Sequence, residues 1–170
     1  MKIKTLIITS IMTLSLVGIA KAENIEDYFN GGVKLSIHNS KTDDMLRDKK
    51  LYVYYKGGKF SLCYEFDNVV YYITPESDSS SGTGREAFIK SLEKYVALNK
   101  KSQNRNMMSK LNVNMIVIDN GETTKDDQRM MMGLQDDLLI MVVTGYNYLT
   151  LCIDQDDIPE LIKICKMPSK

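Results

Sequence analysis

Residues 51–74 read LYVYYKGGKFSLCYEFDNVVYYIT, and the fold expected from the sequence follows from this stretch. Three runs rich in aromatic and branched residues are separated by two short breaks, Gly57-Gly58 and Asp67-Asn68, which are typical of tight hairpin turns. Apolar residues alternate with other types along these runs, which is the period of a half-buried strand. The stretch therefore predicts a three-stranded antiparallel meander.

The same alternation predicts strands elsewhere in the chain, at residues 33–37, 112–119, 129–134, 138–143 and 148–153. Residues 39–50 are mostly polar and predict a loop. The pair Asn120-Gly121 is a further strong turn signal between two of these segments.

Two segments with helical spacing follow these groups of strands. Residues 84–99 predict a helix of about four turns that begins at a capping box formed by Thr83 and Glu86. Asp157 opens a second helix, with Pro159 in its first turn and Glu160 three residues after the cap. We therefore expect an α+β domain, an antiparallel sheet with two helices on one face, and its β-β-β-α order could reflect a duplication.

The N-terminal segment has the pattern of a signal peptide. Lys2 and Lys4 precede the apolar run 6–19, and Ala20-Lys21-Ala22 fits the small-x-small cleavage pattern. The apolar run is shorter than the roughly 20 residues that span a bilayer. We expect cleavage of residues 1–22, followed by a single mature domain over 23–170 that is periplasmic or secreted and has no membrane span.

The charge and the histidine content of the chain limit the classes of function that it could have. Residues 1–22 hold three lysines and no acid, so the mature chain keeps 19 basic against 22 acidic residues. No basic block stands out, and we expect no nucleic-acid partner. His38 is the chain's single histidine, so the sequence offers few imidazole groups for acid-base catalysis or metal binding. We expect no catalytic residues, no metal and no cofactor.

Three motifs have a chemical and a structural interpretation. Residues 82–87 fit the spacing G-x-G-x-x-A, but no strand leads directly into them and no acidic residue follows about 20 positions later, so a loop meeting a capped helix is favoured. Met130-Met131-Met132 could bind copper(I), but methionine also fills irregular cores, which is favoured. The acidic run 154–157 suits a helix N-terminus better than calcium.

Tyrosine is the most suggestive residue type, since six of the ten tyrosines lie between residues 52 and 72. Strand parity places Tyr52, Tyr54, Glu65 and Tyr72 on the sheet face away from the helices. Such a patch would suit a protein or sugar partner, because tyrosine combines apolar area with a polar tip. The alternative is cross-strand packing beneath the N-terminal segment.

The residues thus favour a non-catalytic binding or accessory domain of the cell envelope. The tyrosine patch would bind a protein or small ligand whose identity the sequence does not give. An envelope hydrolase that uses loop carboxylates stays open as the alternative, because carboxylate pairs can catalyse hydrolysis without histidine.

The three cysteines would enter a compartment where disulfides persist. Cys165 lies on the apolar stripe of the last helix and is expected to be a free, buried thiol. Parity directs Cys63 and Cys152 to the other side of the sheet. Any bond within the chain would therefore join Cys63 to Cys152, although the absence of any bond is slightly favoured over this alternative.

Overall fold

Eight antiparallel strands close into a barrel in this computed structural model, which describes residues 29–77, 82–98 and 107–170. The elements are β1 (Gly31–Asn39), β2 (Asp44–Lys56), β3 (Lys59–Phe66), β4 (Val69–Pro75), α1 (Gly84–Val96), β5 (Met108–Asp119), β6 (Glu122–Gln135), β7 (Leu138–Val143), β8 (Leu149–Asp154) and α2 (Ile158–Lys166), with a short 3₁₀ turn before α2. Each strand pairs with the next along the chain. The expected signal peptide, residues 1–22, lies outside the described residues.

The α+β prediction of an open sheet with two helices on one face is wrong. β1 pairs with β8 from Ser36 opposite Cys152 to Asn39 opposite Leu149. This pairing closes the sheet on itself, so neither terminal strand is left as a free edge along those residues. The inward side chains of all eight strands then cover one another in a single core, and no helical layer is needed over a sheet face.

Both helices lie at the same end of the barrel. They follow β4 and β8, which run in the same direction because every strand pair is antiparallel. Phe88, Leu92 and Leu161 are fully buried and join the core formed by the strands. The Arg85 guanidinium links the helices by donating to the carbonyls of Cys165 (2.7 Å) and Met167 (2.9 Å). Within the described residues, no helix combines the length and apolar character needed to cross a membrane.

Four hairpins use two-residue turns in which both residues have positive φ. The predicted turns at Gly57-Gly58, Asp67-Asn68 and Asn120-Gly121 are confirmed, and Asp136-Asp137 forms a fourth turn. Positive φ at both positions matches the right-handed twist of the flanking strands, and glycine, asparagine and aspartate tolerate it best.

β2 and β6 each begin seven residues earlier than the alternation predicts. β2 starts at Asp44 inside the predicted loop 39–50, and its register with β1 shifts between Leu35 and Ile37. Such a bulge disturbs the alternation that marks a strand. β6 starts at Glu122 rather than near Arg129, because its exposed first residues are held by backbone pairing with β5 rather than by apolar burial.

One structural interpretation from the sequence is confirmed in part and another in full. Met115, Met130, Met132 and Met141 are buried in the core, but Met131 is only half-buried and Met108 is exposed. The capping box is present, since Thr83 N donates to Glu86 Oε2 at 2.8 Å and Glu86 N donates to Thr83 Oγ1 at 3.3 Å. The expected cap of the second helix is wrong in detail, because Asp157 makes no side-chain cap bond, while Asp154 accepts from the Asp156 N–H.

Candidate ligand-binding groove

Two rows of side chains cross the outer wall of the barrel from β2 to β5. Strand register places Tyr52, Cys63, Tyr72 and Ile116 side by side in one row. The neighbouring row contains Tyr54, Ser61, Thr74 and Asn114. The inward neighbours of these residues belong to the core, so both rows face away from the barrel interior.

The structure brings all four residues of the predicted tyrosine patch to this wall, but it does not leave them equally accessible. Tyr52, Tyr54 and Glu65 are half-buried, whereas Tyr72 is only 1% exposed. Burial raises the pKa of Glu65 above its ordinary value, with a smaller opposing effect of the Lys49 charge. Tyr54 and Tyr72 line the groove described below, and Tyr52 and Glu65 lie outside it.

Phe29 covers part of the predicted patch. Its ring centroid lies 5.0 Å from that of Tyr52 and 6.2 Å from that of Tyr54, in a tilted and an edge-on arrangement. Aromatic pairs at these distances are stabilising beyond the area that they bury. The Tyr52 end of the patch therefore serves aromatic packing, and the Tyr54 end borders open space.

A groove of about 800 Å³ runs along this wall between the strands and the start of α1. Its floor comes from the row of Tyr54, Ser61, Thr74 and Asn114, and its rim includes charged residues of both signs. The rim residues are Lys59, Glu76, Arg85, Glu86 and Lys125. The groove is large enough for a small ligand.

Hydroxyl and amide groups form the polar part of the floor. Ser61 Oγ and Thr74 Oγ1 lie 2.7 Å apart and share one hydrogen bond. Asn114 Nδ2 donates to Asp127 Oδ1 at 2.7 Å, which fixes the orientation of the amide. Each hydroxyl keeps further donor or acceptor capacity, since a hydroxyl has one proton and two lone pairs.

The start of α1 forms one wall of the groove. Gly84 is required there, because a side-chain carbon at this position would collide with the backbone carbonyl of Pro75. The backbone N–H of Thr83 lowers the pKa of the Glu86 carboxyl, which is therefore ionised at neutral pH. Arg85 stacks on the ring of Tyr55 at 4.1 Å while it holds the end of α2. Both charged residues on this wall thus also have structural roles.

The tyrosines of this wall are predictable from the sequence, whereas Ser61, Thr74 and Asn114 are not predictable as a set. The parity of residues 60–66 already directed Ser61 to this face. The polar row becomes visible only when β5 is placed beside β4, and that pairing joins Thr74 to a residue 40 positions later. Local alternation carries no information on such a long-range register.

All three cysteines are free and buried, as expected for Cys165. Burial raises the pKa of the Cys165 thiol to about 12. The alternative bond between Cys63 and Cys152 is not compatible with the barrel. β1 and β2 separate their strands, and three interstrand steps of about 4.8 Å give roughly 14 Å, beyond the limit of about 7 Å for a disulfide.

The fold and site together define a closed antiparallel β-barrel with a helical cap at one end and a polar groove on its outer wall. Within the described ranges, no group of three or more His, Cys, Asp or Glu residues is arranged to hold a metal ion. No protein-family model matches the chain, and neither a curated protein nor a solved structure matches it significantly.

Proposed function

We propose that this protein is a non-catalytic binding domain of the cell envelope and that the groove binds a small, polyhydroxylated ligand of the sugar type. The observation that carries the proposal is the aromatic ring of Tyr54 beside a floor of hydroxyl and amide groups. The envelope assignment is supported by the signal-peptide pattern of residues 1–22 alone.

The polar floor suits a ligand that carries many hydroxyl groups. Ser61, Thr74 and Asn114 offer both donors and acceptors, and a sugar hydroxyl also acts as both. The carboxylate of Asp127 holds the Asn114 amide in place, so less conformational entropy is lost when a ligand binds it.

Tyr54 supplies the apolar part of the site. Its ring is half-buried and is held edge-on against Phe29, so one orientation is fixed before a ligand arrives. A fixed aromatic ring offers flat apolar area to the C–H face of a sugar, and its hydroxyl keeps a polar contact. Desolvation raises the pKa of the Tyr54 phenol, so the hydroxyl keeps its proton and can donate at neutral pH.

The charge state of Glu86 favours binding over hydrolysis at this site. A general acid must hold a proton near the working pH, and the lowered pKa of Glu86 opposes this. Its carboxylate is also engaged by the Thr83 N–H at 2.8 Å. Glu86 is therefore suited to fixing the helix start rather than to donating a proton to a leaving group.

The proposal is tested by titrating the purified protein with a panel of soluble mono- and oligosaccharides, measured by calorimetry and by NMR. Tyr54→Ala is expected to weaken binding of any sugar that binds by about tenfold, equivalent to about 1.4 kcal/mol. Tyr52→Ala is the matched control, since it removes the same residue type from the same strand and also loses contact with Phe29. Absence of binding across the panel, or equal effects of the two substitutions, would contradict the proposal.

A further inference from the structure

A second opening lies beside the groove on the same wall of the barrel. This side hollow has a volume of about 510 Å³, and its lining is polar throughout: Glu76, Asn112, Asp127, Gln128, Arg129 and Thr144. Glu76 lines both openings. The two spaces are therefore neighbours rather than separate features of the surface.

The boundary between the two openings is a hydrogen-bonded pair of side chains. Asn114 lies in the groove and Asp127 in the side hollow, and they are joined at 2.7 Å across β5 and β6. The Glu76 N–H donates to the Asn112 carbonyl at 2.9 Å, which continues the β4–β5 pairing and fixes Glu76 at the join. A ligand that crosses the strands from Thr74 to Asp127 covers two interstrand steps, roughly 10 Å.

Hydrogen bonds within the protein fix part of the lining of the side hollow. Thr144 Oγ1 donates to Gln128 Oε1 at 2.9 Å and accepts from the Arg129 N–H at 3.0 Å. The Thr144 N–H donates to the Arg129 carbonyl at 2.9 Å. These bonds fix Gln128 and Thr144 in the lining, which also contains the cationic Arg129 and the acidic Glu76 and Asp127.

We propose that the groove and the side hollow are consecutive subsites for a linear oligosaccharide, one sugar unit resting against Tyr54 and the following units against Asn112 and Arg129. This inference rests on the proposed function and names the ligand as a polymer rather than a single sugar. The second subsite adds contacts without a second loss of translational and rotational freedom, so affinity rises with ligand length.

A glycan fits these surfaces better than an extended peptide does. Within the groove, the backbone groups of β4 are already paired on both sides, with β3 and with β5, so a peptide strand finds no free edge there. Recognition must come from side chains, and the described lining offers hydroxyl, amide, carboxylate and guanidinium groups. These groups match the hydroxyls of a sugar polymer.

The test compares ligands of increasing length with the intact protein. Oligomers of glucose and of N-acetylglucosamine, from the monosaccharide to the hexasaccharide, are titrated into the wild type and into Asn112→Ala/Arg129→Ala. We expect affinity to rise by about tenfold between the one-unit and three-unit ligands in the wild type, and the double substitution to abolish this gain while leaving the affinity for the single sugar unchanged. Lys110→Ala is the matched control, because Lys110 is exposed on the same face of β5 outside both openings.

A measurement on the wild type alone covers the case in which the double variant folds poorly. Backbone amide signals of Arg129 and Thr144 are expected to shift on addition of the trisaccharide but not of the monosaccharide. Binding that depends on Tyr54 but not on ligand length would overturn the two-subsite inference and leave the proposed function intact. Absence of binding at every length would overturn both, and binding of extended peptides instead would overturn the glycan assignment.

Discussion

Two buried tyrosines differ in what their hydroxyl groups contact. Tyr95 Oη donates to the Met132 carbonyl at 2.6 Å and accepts from the Ser109 N–H at 2.9 Å, so it connects α1 with β5 and β6. Tyr72 Oη is buried beside the Cys63 thiol but has no hydrogen bond of good geometry within the described part of the chain. Among the described residues, burial has thus left the Tyr72 hydroxyl with the Cys63 thiol, a weak hydrogen-bonding group, in place of water.

Removal of the two hydroxyl groups is therefore expected to affect the stability of the fold differently. Tyr95→Phe leaves the Met132 carbonyl and the Ser109 N–H unpaired and should lower the free energy of unfolding by about 1–3 kcal/mol. Tyr72→Phe removes a hydroxyl to which the described residues offer only the weakly bonding Cys63 thiol, and it should leave the stability unchanged or higher. Urea unfolding at neutral pH, followed by circular dichroism, measures both variants. A loss in Tyr72→Phe as large as that in Tyr95→Phe would show that the Tyr72 hydroxyl has a partner.

At the scale of elements, local sequence signals located most strands, turns and helices. The two-residue turns and the capping box were predictable because each depends on residues close together in sequence, such as Thr83 and Glu86. The first residues of β2 and β6 were not predictable from the local sequence. A bulge in β2 and the exposed, charged start of β6 remove the alternation by which a strand is recognised.

The capping box gives a pH-dependent contribution to stability. The pKa of Glu86 is lower in the folded chain than its ordinary value, so its carboxylate stabilises the fold above the unfolded pKa of about 4.3, and this contribution is lost as pH falls through the folded pKa. Thr83→Ala removes the cap and is expected to lower the free energy of unfolding at pH 7 by about 1 kcal/mol.

Chemical unfolding between neutral and acidic pH checks this expectation. The difference between wild type and Thr83→Ala should shrink once Glu86 is protonated, because the contact between the Thr83 hydroxyl and the Glu86 carboxylate, which helps to lower the pKa of Glu86 and is absent from the variant, then weakens in the wild type. Lys94→Ala is the control, since Lys94 is an exposed residue of the same helix and its removal should change stability by less than about 0.5 kcal/mol. Equal effects of the two substitutions at pH 7 would show that the cap does not stabilise α1.

At the scale of the whole molecule, barrel closure depends on contacts that no local pattern records. The β1–β8 pairing joins Ser36 to Cys152, and the same alternation along these strands would serve an open sheet equally well. The candidate site likewise depends on contacts between residues that are far apart in the sequence. Tyr54 was predictable as an outward residue, whereas the shared floor of Thr74 and Asn114 exists only once the register of β4 and β5 is fixed.

The barrel as a whole is expected to unfold in alkali, because several of its tyrosines are buried with neutral phenols. Burial raises the pKa of Tyr64 and of Tyr72 well above the usual value, and the pKa values of Tyr54, Tyr95 and Tyr146 are also raised. A group with a raised folded pKa stabilises the fold fully below its unfolded pKa. For tyrosine that value is about 10, and the stabilisation is lost as pH rises above it.

The chain contains no tryptophan, so the ultraviolet absorbance of tyrosinate reports these groups directly. The buried phenols should ionise only in the same transition in which the far-ultraviolet circular dichroism of the barrel is lost, whereas the urea-denatured chain should titrate in one step near pH 10. Tyr72→Phe removes one such proton and should make the decline of stability above pH 10 less steep without weakening the fold at neutral pH. If all tyrosines of the folded protein ionise near pH 10 while the circular dichroism is retained, the phenols are not buried as neutral groups and the packing of the barrel described above is wrong.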